Sequence, residues 1–166
     1  MDHGVFEVAK VGGQNWVLCT DRGRIFPKMT AGALPEKYTV ELGVFSNGAV
    51  HDGWFNFQWL DSEDQKIGEL TVAYSYMTSL EIMGKRLASK NIEKLPKGRH
   101  VMRVMATRST IKCYIDQERV ANVPKVDGFA PVKFAVDENP YFEDNKTALI
   151  GTFRYAEGGK TLKEQL

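Results

Sequence analysis

The chain has 166 residues, of which 43% are apolar and 26% charged, with a formal net charge of +1. That is the size and balance of one globular domain, able to bury roughly two-thirds of its unfolded surface without a disulfide or metal staple. Its 22 basic and 21 acidic side chains are interspersed, so no nucleic-acid footprint is visible as a basic run, and no apolar run approaches the roughly 20 residues that span a bilayer.

The opening Met1-Asp2-His3-Gly4 has neither the charged nor the apolar region of a signal peptide. A first short strand is expected at Val5–Val8. Asn15–Thr20 and Gly23–Met29 flank a turn at Asp21-Arg22. Tyr38–Phe45 alternates cleanly, with Tyr38, Val40, Leu42 and Val44 on one side and Thr39, Glu41 and Gly43 on the other. After the turn Ser46-Asn47-Gly48, Trp54–Leu60 sets Phe55, Phe57 and Trp59 inward. Trp54, Asn56 and Gln58 take the opposite face.

Leu70, Val72 and Tyr74 continue the pattern, and Ser79–Gly84 reads as a strand followed by a loop, because Gly84 and the polar residues after it break any helical face. Beyond Pro96-Lys97-Gly98, Met102, Val104 and Ala106 alternate with Arg103 and Met105. Ile111, Cys113 and Ile115 point in; Lys112, Tyr114 and Asp116 point out. Asp116–Arg119 is the hairpin before Val120–Val123. Val132, Phe134 and Val136 form another strand, an acidic loop runs from Asp137 to Asn145, and Ala148–Tyr155 is the last strand. Ten or more short strands with turns every 8 to 12 residues or so, and no long helical pattern, predict an antiparallel β-sandwich of jelly-roll type. Cys19 and Cys113 sit in strand-like apolar contexts and read as two free thiols.

The domain is expected to span residues 1–156. In residues 157–166, two glycines end the sheet and Thr161 with Glu164 forms a capping box. The sequence stops about one turn later, too soon for a stable helix. A linker and the start of a helix leading into a further C-terminal domain are expected here.

The run HVMRVMATRSTIKCYIDQERVANVP is similar to the paired strands of concanavalin A-like and laminin G-like sandwiches, with His100, Arg103, Tyr114, Asp116, Arg119 and Val120 in the recurring positions. NWVLCTDRGRIFPKM, ALPEKYTVEL, YIDQERVANVP and GTFRYAEGGKTLKEQL resemble the N-terminal region of bacterial OmpA-family envelope proteins. The resemblance implies a location in the cell envelope, periplasmic or outer-membrane-associated, with the export signal absent from this chain. It also implies peptidoglycan contact only through a C-terminal domain that is not in this sequence. It brings no activity with it.

The residues that could carry chemistry are few. A glycoside hydrolase needs two carboxylates flanking the scissile bond. No strand here carries acids at period-two spacing, so an enzyme is not expected and a glycan hydrolase with an unrecognised site stays as the alternative. His3, His51 and His100 show no metal-ligand spacing. No cofactor is expected, with calcium as the one ion to consider. Asp137, Asn139, Glu143 and Asp144 offer hard oxygen ligands without an EF-hand pattern, and the plainer reading is a solvated loop.

The leading expectation is a binding face. Trp54 beside Asn56 and Gln58 combines a flat apolar platform with planar hydrogen-bonding groups, which is what sugar recognition uses. Arg103 and Tyr114 are expected on the same outer side. The plainer reading has Trp54 packed at the sandwich edge. The sequence therefore predicts a non-catalytic recognition module for a glycan or an envelope protein, with a spacer or assembly domain as the other alternative.

Overall fold

The computed structural model describes residues 6–11, 13–19, 23–27, 34–46, 54–73, 77–93, 95–139 and 148–158; for strand residues 6–9, 11, 18, 19, 23, 54, 138, 139, 148 and 149 it describes the backbone alone. Two antiparallel sheets face each other. One has seven strands in the order β1-β2-β13-β4-β9-β10-β11: β1 (Phe6–Val11), β2 (Gln14–Cys19), β4 (Tyr38–Ser46), β9 (Gly98–Ala106), β10 (Thr110–Ile115), β11 (Glu118–Pro124) and β13 (Ala148–Glu157). The other has six, in the order β3-β12-β5-β6-β7-β8: β3 (Gly23–Ile25), β5 (Trp54–Leu60), β6 (Lys66–Ala73), β7 (Met77–Ile82), β8 (Lys85–Asn91) and β12 (Lys133–Asn139). No helix occurs among the described residues. The architecture is a jelly-roll, concanavalin A-like sandwich.

The core is the layer between the sheets, supplied by alternate residues of every long strand as period two requires. Phe55, Phe57, Trp59, Leu70, Val72, Leu80, Ile82, Phe134 and Val136 come from the six-stranded sheet; Tyr38, Val40, Leu42, Val44, Met102, Val104, Ile111 and Cys113 from the other. The rings of Phe57 and Trp59 meet edge-on at 4.9 Å. The Trp59 indole N–H donates to the Tyr38 hydroxyl at 2.7 Å, so both polar handles are satisfied in the apolar layer. Burial pushes the Tyr38 hydroxyl well above its ordinary range. Cys113 is a free, buried thiol whose pKa burial raises to about 12, so it is packing and not a nucleophile.

Three expectations change. Residues 85–91, expected as loop, form β8. Met83 and Gly84 both have positive φ, 50° and 74°, the conformation that closes a two-residue hairpin. The strand was hard to see because KRLASKN has no apolar alternation; it is an edge strand, and edges carry lysine and arginine to discourage pairing. The strand expected to begin at Gly23 ends at Ile25, with Phe26 and Pro27 outside it; Lys28 and Met29 lie outside the described residues. Asp137 and Asn139, expected in an acidic loop, instead belong to β12, and the Asp137 side chain is buried. Glu143, Asp144, His3, His51, Tyr74 and the capping box of the tail lie outside the described residues. The Gly158 amide, just past β13, donates to the Lys37 carbonyl.

Candidate functional site

Residues paired across an antiparallel ladder share a face. On the outer face of the six-stranded sheet, register therefore sets a row across all six strands: Arg24 beside Asp137, Asp137 beside Asn56, Asn56 beside Thr71, Thr71 beside Ser79, and Ser79 beside Ser89. A second row joins Ala135, Gln58, Glu69, Glu81 and, past a bulge in β8, Arg86. Trp54 continues the parity of Asn56 and Gln58 in β5, paired with Asn139 and Ala73. Its side chain is outside the described residues.

The face is deepest at β12 and β5. Asn56 is 6% exposed, Gln58 2%, Asp137 8% and Ala135 0%. Exposure grows toward β8, where Ser89 and Arg86 are exposed. Amides this buried should be fully hydrogen-bonded, and they are not. Gln58 Nε2 donates to Glu69 Oε2 at 2.8 Å and reaches Asp137 Oδ2 at 3.5 Å. Yet Gln58 Oε1 and Asn56 Oδ1 are buried without a donor among the described residues. An unmet buried acceptor costs about 1–3 kcal/mol. Lys66 Nζ donates to Glu69 Oε1 at 3.0 Å, so both Glu69 oxygens are held as acceptors. The floor is thus rich in fixed acceptors and short of donors.

Arg103 and Tyr114 are not part of this surface, which corrects the expectation that they share the side of Trp54. They pair with each other on the seven-stranded sheet, on the far side of the core. Arg103 Nε donates to Glu41 Oε1 at 2.6 Å. Asp137 and Asn139, expected as loop ligands for calcium, lie instead on the strand β12. Asp137 belongs to the polar floor, and among the described residues no cluster of three His, Cys, Asp or Glu side chains could hold a metal.

Sequence reading passed over His100 and Asp116 as a pair. His100 is buried at the end of the sandwich. Its Nδ1 meets Asp116 Oδ2 at 2.8 Å and its Nε2 meets the Pro96 carbonyl at 2.8 Å. Both partners accept, so only the doubly protonated ring donates to both. The Asp116 hydrogen bond raises the His100 pKa against the opposing effect of burial, with help from the Pro96 carbonyl. For Asp116, burial pushes the pKa up, but the bonds from His100 and the Val101 amide outweigh it and hold the carboxyl below its ordinary value. Asp116 also sits at positive φ, 52°, in the tight turn between β10 and β11 where aspartate tolerates that conformation. The resemblance to laminin G-like strands singled out both residues; their spacing of sixteen in sequence hid the contact. Beside them a cleft of about 450 Å³ opens between the β8–β9 connection and the β10–β11 turn, lined by Ile92, Leu95 and Glu118 among others.

Comparison with solved structures supports the architecture. A sialidase superposes with a TM-score of 0.65 at 12% identity over 92% of this chain, which spans only 16% of the sialidase. The carbohydrate binding module CBM66 from Bacillus subtilis gives a TM-score of 0.59 at 12% identity, covering 92% of this chain and 91% of that one. The carbohydrate recognition domain of Emp47p gives 0.65 at 12% identity, covering 94% and 88%. No protein-family model matches the chain, and no curated protein sequence does.

Proposed function

We propose that this domain is a carbohydrate-recognition module that binds a neutral glycan on the outer face of its six-stranded sheet. The observation that carries this reading is the pair of buried, unmet acceptors, Asn56 Oδ1 and Gln58 Oε1, set in one floor with Asp137 and Glu69. Both acceptors are closed to solvent in the ligand-free domain, so a glycan would meet them only if its binding opens a path to them; each acceptor that then gains a sugar hydroxyl as donor recovers its desolvation cost. Trp54, next in parity on β5, would give a ring platform beside them. The carbohydrate-binding neighbours on the same fold are consistent with this, although fold alone licenses no ligand.

Recognition without turnover is part of the proposal. Both Glu69 oxygens already accept hydrogen bonds, from Gln58 and Lys66, which commits its carboxyl group to the floor. The hydrolase reading has one observation in its favour: Glu69 and Glu81 stand opposite each other in the register. Release of reducing ends from a glycan, abolished by Glu81→Gln, would replace recognition with catalysis. The envelope location and the continuation into an OmpA-like domain rest on the resemblance of the segments quoted above.

The test is a thermal-shift screen against neutral oligosaccharides. A ligand at a hundred times its Kd adds about 2.7 kcal/mol, a rise of several degrees in Tm. The shift should vanish in Gln58→Ala and shrink in Trp54→Ala. No shift with any neutral glycan would sink the reading.

A further inference from the structure

The outer face of the seven-stranded sheet has a different chemistry. Register sets Arg154 beside Glu41, Glu41 beside Arg103, Arg103 beside Tyr114, and Tyr114 beside Arg119. This row crosses β13, β4, β9, β10 and β11. Lys112 adds a cation on the same face, paired with Met105 and Asn122. Arg99, paired with Phe45, lies over the Trp16 ring at 5.5 Å. Five cations therefore share a face with one strand carboxylate whose side chain is described, Glu41, in a chain whose net charge is +1. Glu41 is committed to Arg103. Arg119 is exposed and Lys112 half-buried, and neither meets an acid among the described residues.

The spacing is regular. Arg154, Arg103 and Arg119 lie on every second strand, so the backbone positions that carry them are roughly 10 Å apart at the interstrand distance of a sheet. That is comparable to the length of a disaccharide. The full row runs roughly 19 Å across four strand spacings, too long for one small ligand. Tyr114 sits in the row between Arg103 and Arg119, where its ring can lie against the apolar face of a sugar.

We infer that this face is a second glycan-binding surface, specific for an extended anionic polysaccharide whose carboxylate or sulfate groups recur at disaccharide spacing. Guanidinium groups recognise such planar or tetrahedral anions by paired hydrogen bonds. A face with an excess of one sign of charge also draws a polyanion in from a distance. The site is independent of the polar face on the other sheet, and it does not require that face to bind anything.

The experiment is titration calorimetry of the domain with polygalacturonate and dextran sulfate, with neutral dextran, a DNA duplex and anionic lipid vesicles as controls. The expected result is binding to both anionic polysaccharides that weakens as salt is added. Lys112→Ala with Arg119→Ala should lose about tenfold in affinity, on the scale of two exposed ion pairs. Both residues can be truncated without touching the core, and an unchanged Tm will show that the variant folds. Gln58→Ala, on the other sheet, should bind the polyanions as the parent does. Three results would overturn the inference: no binding to either polyanion, binding that the double variant leaves unchanged, or equal affinity for the duplex or the vesicles.

Discussion

The two outer faces of this sandwich are built by the same rule and end with opposite characters. On the six-stranded sheet the polar side chains near β5 and β12 are buried, mutually bonded and left with acceptors to spare. On the seven-stranded sheet the charged residues are mostly cations, three of the five exposed, with Glu41 and Arg103 drawn together and Thr39 buried. On the reading proposed above, the first face takes a ligand that brings hydrogen-bond donors at short range. The second is fitted to one that brings negative charge over distance. The difference teaches that a balanced composition says little about a sheet protein's surface, because register sorts the charges after composition is fixed.

The largest blow to both faces together is Trp59→Ala. It removes a fully buried ring and strands the Tyr38 hydroxyl. A loss of about 3–5 kcal/mol in unfolding free energy is expected, measured by denaturant titration, with both binding activities failing in parallel. Survival of either face in that variant would mean that the sheets do not depend on a common core.

Asn56→Leu separates the faces. It replaces a buried amide with an unmet acceptor by an apolar side chain of similar size, so the ligand-free domain should gain up to about 1 kcal/mol while glycan binding at the polar face is lost. Calorimetry with a neutral glycan and with a polyanion on this one variant would show the first lost and the second kept. A less stable variant would mean that water already satisfies the amide.

The pH dependence of stability tests the end of the sandwich that both faces leave alone. His100 has a raised folded pKa, so its contribution is full below its unfolded value and lost as pH rises through the raised one. Asp116 has a lowered folded pKa, so its contribution is present above its unfolded value and lost as pH falls through the lowered one. Stability from this pair is therefore greatest between the two unfolded values, on mildly acidic ground. His100→Gln should flatten the decline of Tm on the neutral and alkaline side. An unchanged profile would mean that the pair does not titrate on folding.

The smallest effect expected is Arg108→Ala. Arg108 pairs with Glu36 at 2.9 Å, but the side chains are 76% and 69% exposed, so the change should stay within about 0.5 kcal/mol. It is the control against which losses on the basic face should be compared.

Much of the fold was legible because a half-buried strand writes its orientation into every second residue. Tyr38, Val40, Leu42 and Val44 point into the core as the alternation requires, and so do Phe55, Phe57 and Trp59. The opposite parity of Asn56 and Gln58 was legible too; their deep burial was not, because a sequence does not show how far a sheet face is recessed. β8 escaped because an edge strand has no need of an apolar face.

Parity within each strand is a local property, set by the backbone pleat, and the sequence alone determined it. Which strands lie side by side is set by long-range pairing, and only the tertiary structure decided that. Arg103 and Tyr114 carry the outward parity of Trp54 and lie on the other sheet. His100 and Asp116 are sixteen residues apart and in contact. Arg99, Arg103, Lys112, Arg119 and Arg154 are scattered among acids along the chain and gathered on one face. Period-two alternation tells a side chain in from out, but hydrogen-bonded register chooses its neighbours, and neighbours make a site.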